Sequence, residues 1–161
     1  MKKTFVTFVV GLTVIVLPCI ATAQNVVTDW NEIAVTTAIA GNLIIPQNSP
    51  NGMALYLAYV HLAIHDAVNA IEHRFKPYGP DIGAPAGASS DAAAIAAAYF
   101  TLLYHFPLQS AALIAAYNSS LAAIPDGKAK VDAEAVGLAA ANQTCSRCVR
   151  NFARLLPTLV Y

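Results

Sequence analysis

Apolar residues in this chain recur every three to four positions in most long stretches, and no stretch shows the strict alternation of a half-buried strand. The pattern predicts an all-α protein of about five helices in a compact bundle or orthogonal array. The first helix spans 28–40, with Thr28 as its N-cap, Asp29 and Glu32 in its first turn and Gly41 as its stop. Turn formers crowd 46–52, from Pro46 to Gly52, and predict a loop. A long periodic segment then runs from Met53 to about His73, and a Pro/Gly-rich connection opens at Lys76-Pro77-Tyr78-Gly79-Pro80 and lasts to Ser90. Ser89 or Ser90 can cap a third, alanine-rich helix over 91–105. A fourth is expected from Leu108 to Ile124. After the turn Pro125-Asp126-Gly127, a fifth is expected from Lys128 to Ala141, with Asp126 as its cap.

The long segment is the most informative. On a helical wheel Met53, Leu57, Val60, Ile64, Ala67, Val68 and Ile71 share one side, and His61, His65, Asp66, Asn69, Glu72 and His73 share another. Leu55 and Leu62 fall within the polar arc, so that stripe is expected to face neighbouring elements as well as water.

Composition changes the picture at the N-terminus. Lys2 and Lys3 precede an apolar run from Phe5 to Leu17, Pro18 breaks it, and Ala21-Thr22-Ala23 offers a cleavage site before Gln24. Residues 1–23 therefore read as a signal peptide, and the mature protein is expected in the periplasm or secreted. The run falls short of the roughly 20 apolar residues that span a bilayer. No other stretch is expected to cross one, so no membrane contact is expected after cleavage. Over the whole chain 57% of residues are hydrophobic and 11% charged, with nine Lys and Arg against nine Asp and Glu. Such a chain is not intrinsically disordered. It also lacks the basic surplus of a nucleic-acid binder.

Candidate chemistry is sparse. His61 and His65 stand one turn apart and could share a metal, but Leu62 occupies the position where the zinc-protease motif needs Glu. A metal site would need a third ligand, and Asp66, about 100° round the helix from His65, is expected to point elsewhere. The competing expectation is that these groups bond to neighbouring helices and loops. Cys145-Ser146-Arg147-Cys148 is a single C-x-x-C, open to incidental thiols, a local disulfide or a redox role. Tyr56, Tyr59, Tyr99, Phe100, Tyr104 and Phe106 fall at helical spacings and are expected in the core.

Three blocks carry a family resemblance: Asp29-Trp30-Asn31-Glu32-Ile33-Ala34, the string from Val60 to Glu72 continuing to Phe75-Lys76-Pro77-Tyr78, and Leu121-Ala122-Ala123-Ile124-Pro125-Asp126-Gly127. In this order they resemble the N-terminal helical region of the bacterial vanadium-dependent haloperoxidases. Those peroxidases belong to the phosphatidic acid phosphatase type 2 superfamily, with the acid phosphatases. The resemblance implies an all-α fold over 24–141. In full-length relatives it implies a vanadate or phosphate site that oxidises halide with peroxide or hydrolyses phosphate esters.

The motifs that build that site are Lys-x6-Arg-Pro, Pro-Ser-Gly-His and Ser-Arg-x5-His, and none stands in this sequence. Gly83, Ala135 and Gly137 occupy the places where Arg should follow Lys76, Lys128 and Lys130. Pro85-Ala86-Gly87-Ala88 lacks hydroxyl and imidazole, and Ala153 stands where His should follow Ser146-Arg147. No catalytic or cofactor-binding residue is therefore assigned, and vanadate is expected only in full-length relatives. Residues 142–161 turn basic and cysteine-bearing, a composition that a shift of reading frame would produce. The chain is expected to be truncated before the catalytic motifs and inactive alone, its partner being the missing catalytic domain or a second copy. Two alternatives stand beside it: a non-catalytic interaction module that docks a partner protein, and a small metal-binding protein using His61 and His65.

Overall fold

A computed structural model describes residues 25–44 and 50–155, without the side chains of 42–44, 50–51 and 148–155. The expected signal peptide and residues 45–49 of the expected loop lie outside the described residues. The chain is all-α: α1 Val26–Ile44, α2 Pro50–Glu72, α3 Ser90–His105, a 3-10 turn over Pro107–Gln109, α4 Ser110–Ala122 and α5 Lys128–Leu155. No strand occurs among the described residues.

The helix ends differ from expectation where a local signal met a tertiary contact. Asn25 rather than Thr28 caps α1, its side-chain oxygen accepting from Val27 N at 3.0 Å. Gly41 lies inside α1, not after it. A Cβ there would stand 2.6 Å from the Phe106 ring, so this glycine admits a neighbouring side chain rather than ending a helix. Helix α2 begins at Pro50, three residues before the predicted start, because proline fits a first turn whose N–H has no helical partner. It ends when His73 turns left-handed at φ 52°.

Ser89 caps α3, accepting from Ala92 N at 3.3 Å. The predicted fourth helix divides, since Pro107 opens a 3-10 turn before α4. Asp126 does not cap α5. Gly127 O accepts from Lys130 N and Val131 N instead, while Asp126 pairs with Lys130 Nζ at 3.0 Å. Nor does α5 stop at Ala141; it continues without a break to Leu155.

The core is organised around α3, which touches each of the other four helices. Every residue from Ala92 to Tyr99 is buried, with Thr101 and Leu102. A helix buried on all sides needs small side chains if its neighbours are to come close, and alanine supplies them. The closest approach is at α5: a Cβ on Gly137 would meet Ala93 O at 2.6 Å and Ala97 N at 2.7 Å. The Thr101 hydroxyl is satisfied within the helix by Ala97 O at 2.7 Å. Trp30, Val60, Leu102 and Leu113 fill the remaining space from the surrounding elements.

The predicted apolar side of α2 does face this core. Val60, Ile64 and Ala67 are buried, and Met53, Leu57, Val68 and Ile71 pack partly against them. Of the predicted core aromatics, Tyr99 and Phe106 are buried but Tyr104 is exposed, on the outer side of the last turn of α3. By length and apolarity alone, Gly52–Glu72 is also sufficient to cross a membrane, which the sequence reading did not anticipate. Four polar or ionisable residues on its C-terminal half, His65, Asp66, Asn69 and Glu72, obscure an N-terminal half without Asp, Glu, Lys or Arg.

Candidate functional site

The polar stripe of α2 is divided by the structure into an exposed part and a buried part. Asp66 and Asn69 are buried, whereas His61, His65, Glu72 and His73 are exposed. The buried pair holds the chain that follows the helix. Asn69 closes a double bond with Phe75: its amide donates to Phe75 O at 2.6 Å, and its oxygen accepts from Phe75 N at 2.6 Å. Asp66 spreads its carboxylate over two backbone donors, Tyr78 N at 2.7 Å and Gly79 N at 2.8 Å. Bonds to an ionised acceptor are roughly twice as strong as neutral ones, so this is the firmest point of the connection. Gly79 is needed here, since a Cβ would collide with Gln143 and come within 2.9 Å of Asp66 Oδ2.

Two residues of α5 complete the clamp. Gln143 donates to Pro80 O at 3.1 Å, and Arg147 donates to Tyr78 O at 2.9 Å. Both lie in the stretch set apart as an atypical tail, and nothing about their composition signalled this role. The usable signal was their spacing: at i and i+4 they share one face of a continuing helix. The result is a backbone fixed from both sides while the Phe75 and Tyr78 rings stay outside, 67% and 66% exposed. A cavity of about 350 Å³ lies behind this connection, lined among others by Asp66, Asn69, His73 and Asp81.

The histidine pair is brought to the surface, not to a common ligand position. His61 Nε2 lies 2.9 Å from Asn31 Oδ1, linking α2 to α1. His65 Nδ1 lies 3.1 Å from Asp66 Oδ1, contrary to the expectation that Asp66 points away from it. The short carboxylate turns inward to the loop, and the longer imidazole swings across to meet it. Among the described residues no group of three His, Cys, Asp or Glu is placed to hold a metal ion. An open groove of about 300 Å³ runs beside the pair, with Val27, Val68, Glu72 and Phe75 in its walls.

Vanadate would need several cations and an imidazole around one point. The described cations are instead dispersed: Arg74 pairs with Glu72, Lys128 with Asp132, Lys130 with Asp126, Arg147 serves the clamp, and Lys76 is exposed on the connection after α2. These residues do not fit the oxyanion. Cys145 is buried, and the side chain of Cys148 lies outside the described residues. Two other titratable groups are perturbed. Burial, reinforced by the hydrogen bond to Glu134 at 2.8 Å, pushes the Tyr117 hydroxyl well above its ordinary range. Burial lowers the His105 imidazole from its ordinary value of 6.5.

No protein-family model, no curated protein and no solved structure matches this chain.

Proposed function

We propose that this chain is a non-catalytic helical module, exported to the periplasm or medium, that docks a partner through the clamped Phe75–Tyr78 edge. The resemblance to the N-terminal helical region of the vanadium-dependent haloperoxidases and acid phosphatases names that partner as a catalytic domain bearing the three oxyanion motifs. One observation carries the reading. Four polar side chains from two helices immobilise a surface loop whose two aromatic residues are each about two-thirds exposed. Fixing an aromatic anchor before contact removes part of the ordering cost of association, and aromatic anchors dominate binding energy at interfaces.

The test pairs the chain with a separately produced catalytic domain of a vanadium-dependent haloperoxidase, using titration calorimetry. Saturable binding is expected, weakened more than about tenfold by Phe75→Ala with Tyr78→Ala, a loss of the size hot-spot truncations show. Unchanged affinity in a double variant of native circular dichroism would sink the proposal. The chain alone, supplied with vanadate, bromide and peroxide, is expected to show no halogenation above the buffer blank, and turnover there would overturn the non-catalytic reading.

A further inference from the structure

A further cavity lies away from the clamp, where three helix ends meet. Helices α1 and α4 each pack on α3, with little contact to one another. The start of α1, the start of α3 and the end of α4 leave between them a cavity of about 330 Å³, with Ile95 of α3 in its wall. That volume is many times what one water occupies and falls at the lower end of the range of small-molecule sites.

Its polar lining is one-sided in charge. Asp29, in the first turn of α1, and Asp91, in the first turn of α3, share the wall with Ser119 and Ser120 of α4. Among the described residues, none of these four side chains has a hydrogen-bond or ion-pair partner. No described Lys, Arg or His lines the cavity. Lys130, which bonds to Ile124 O, is shared with Leu121 O and Asp126. Trp30 also lines the cavity. It is only 1% exposed, and its indole Nε1 is enclosed without a hydrogen-bond partner. A buried donor left unpaired costs about 1–3 kcal/mol, and nearly all such groups in folded proteins find an acceptor. This one points to an acceptor that the described chain does not supply.

We infer that this cavity binds a small hydroxylated organic amine, its ammonium held by the Asp29 and Asp91 carboxylates and one of its oxygens accepting from Trp30 Nε1. Carboxylates only accept, so they call for a donor that carries positive charge. The electronegative end of α4 acts in the same direction. A bare metal ion would meet that demand but leave the indole N–H unpaired, since a cation offers it no lone pair. An anion would serve the indole and be repelled by both carboxylates. A molecule that carries an ammonium beside hydroxyl groups satisfies both demands, and the Ser119 and Ser120 hydroxyls, which donate and accept, suit its remaining oxygens. None of these residues belongs to the Phe75–Tyr78 clamp, and the two sites can be tested separately.

Trp30 is the sole tryptophan, so indole fluorescence of the full chain reports on this cavity. The probe is protonated glucosamine, with N-acetylglucosamine as its uncharged counterpart and calcium chloride as the bare cation. Glucosamine is expected to bind in titration calorimetry and to change Trp30 emission over the same concentrations, and the other two are not. Asp29→Asn with Asp91→Asn keeps the side-chain shapes and should weaken binding at least about tenfold, the size of one lost hydrogen bond to a charged group, with circular dichroism unchanged. The comparison of the three probes needs no variant. Absence of saturable glucosamine binding, binding without a change at Trp30, or equal binding by a folded double variant overturns the inference. So does a response to N-acetylglucosamine as large as that to glucosamine, which would remove the cation, or a response to calcium in its place, which would give the carboxylates to a metal ion.

Discussion

Where α2 ends, the carboxylate and amide of Asp66 and Asn69 are spent on the backbone of Phe75, Tyr78 and Gly79, and α5 adds Gln143 and Arg147 from the other side. Where α2 begins, Gln109 donates to Thr37 O at 2.7 Å, and aromatic packing supplies much of the remaining order. Leu55, Tyr104 and Leu108 stand in solvent, and the nearest ordering contacts are rings packed on rings. The first end obtains its order chiefly from directional bonds to buried polar groups, and the second largely from nonpolar contact. Order of the first kind fails abruptly when one partner is removed, because an unpaired buried donor is costly. Order of the second kind leaves its outermost side chains replaceable.

The largest effect expected from breaking this contrast is at Asp66. Asp66→Ala removes the buried acceptor of two part-buried backbone donors and should cost about 2–3 kcal/mol in urea unfolding. Leu108→Ala, at the opposite end, should stay within about 0.5 kcal/mol, as substitutions of exposed residues do. Equal effects would dissolve the distinction. A smaller loss is expected between α3 and α5, where Gly137→Ala presses a methyl onto the Ala93 carbonyl and Ala97 amide. Overpacking of this kind costs about 1–3 kcal/mol, read as a lowered thermal midpoint.

The smallest effect sharpens the comparison where α2 begins. The folded state holds the His105 imidazole below its ordinary value of 6.5, so below that pH the unfolded chain binds the extra proton more readily. Stability should therefore fall as pH drops through 6.5, until the folded value is passed, and be fully present above it. His105→Gln should flatten that dependence in urea titrations at several pH values. An unaltered slope would mean that another group carries it.

Much of the fold was legible. The helical period located α2, α3 and the start of α5 to within a few residues, and the Ala-rich run of 91–105 pointed to close packing. Glycine was the least legible residue. Gly41 and Gly137 carry the same local signal as a helix stop or a weak helix position, and only the Phe106 ring and the α3 backbone reveal why each is there. The site was half legible. His65, Asp66 and Asn69 stood out as a stripe, and the alternative that such groups bond to adjacent loops describes Asp66 and Asn69. Their partners on α5 were hidden because Gln143 and Arg147 lie 63 and 69 residues from the atoms they hold.

What the amino-acid sequence determined unaided is therefore local or additive: the all-α class, the approximate place of the helices and the apolar side of α2. Periodicity and composition are properties of neighbouring residues and survive without knowledge of the chain path. The tertiary structure alone decided that α5 crosses α3 at a glycine and that Asp66 orders the loop that follows α2. Those outcomes depend on which distant segments approach within hydrogen-bond or van der Waals range, and such approach is set by the packing of the whole bundle.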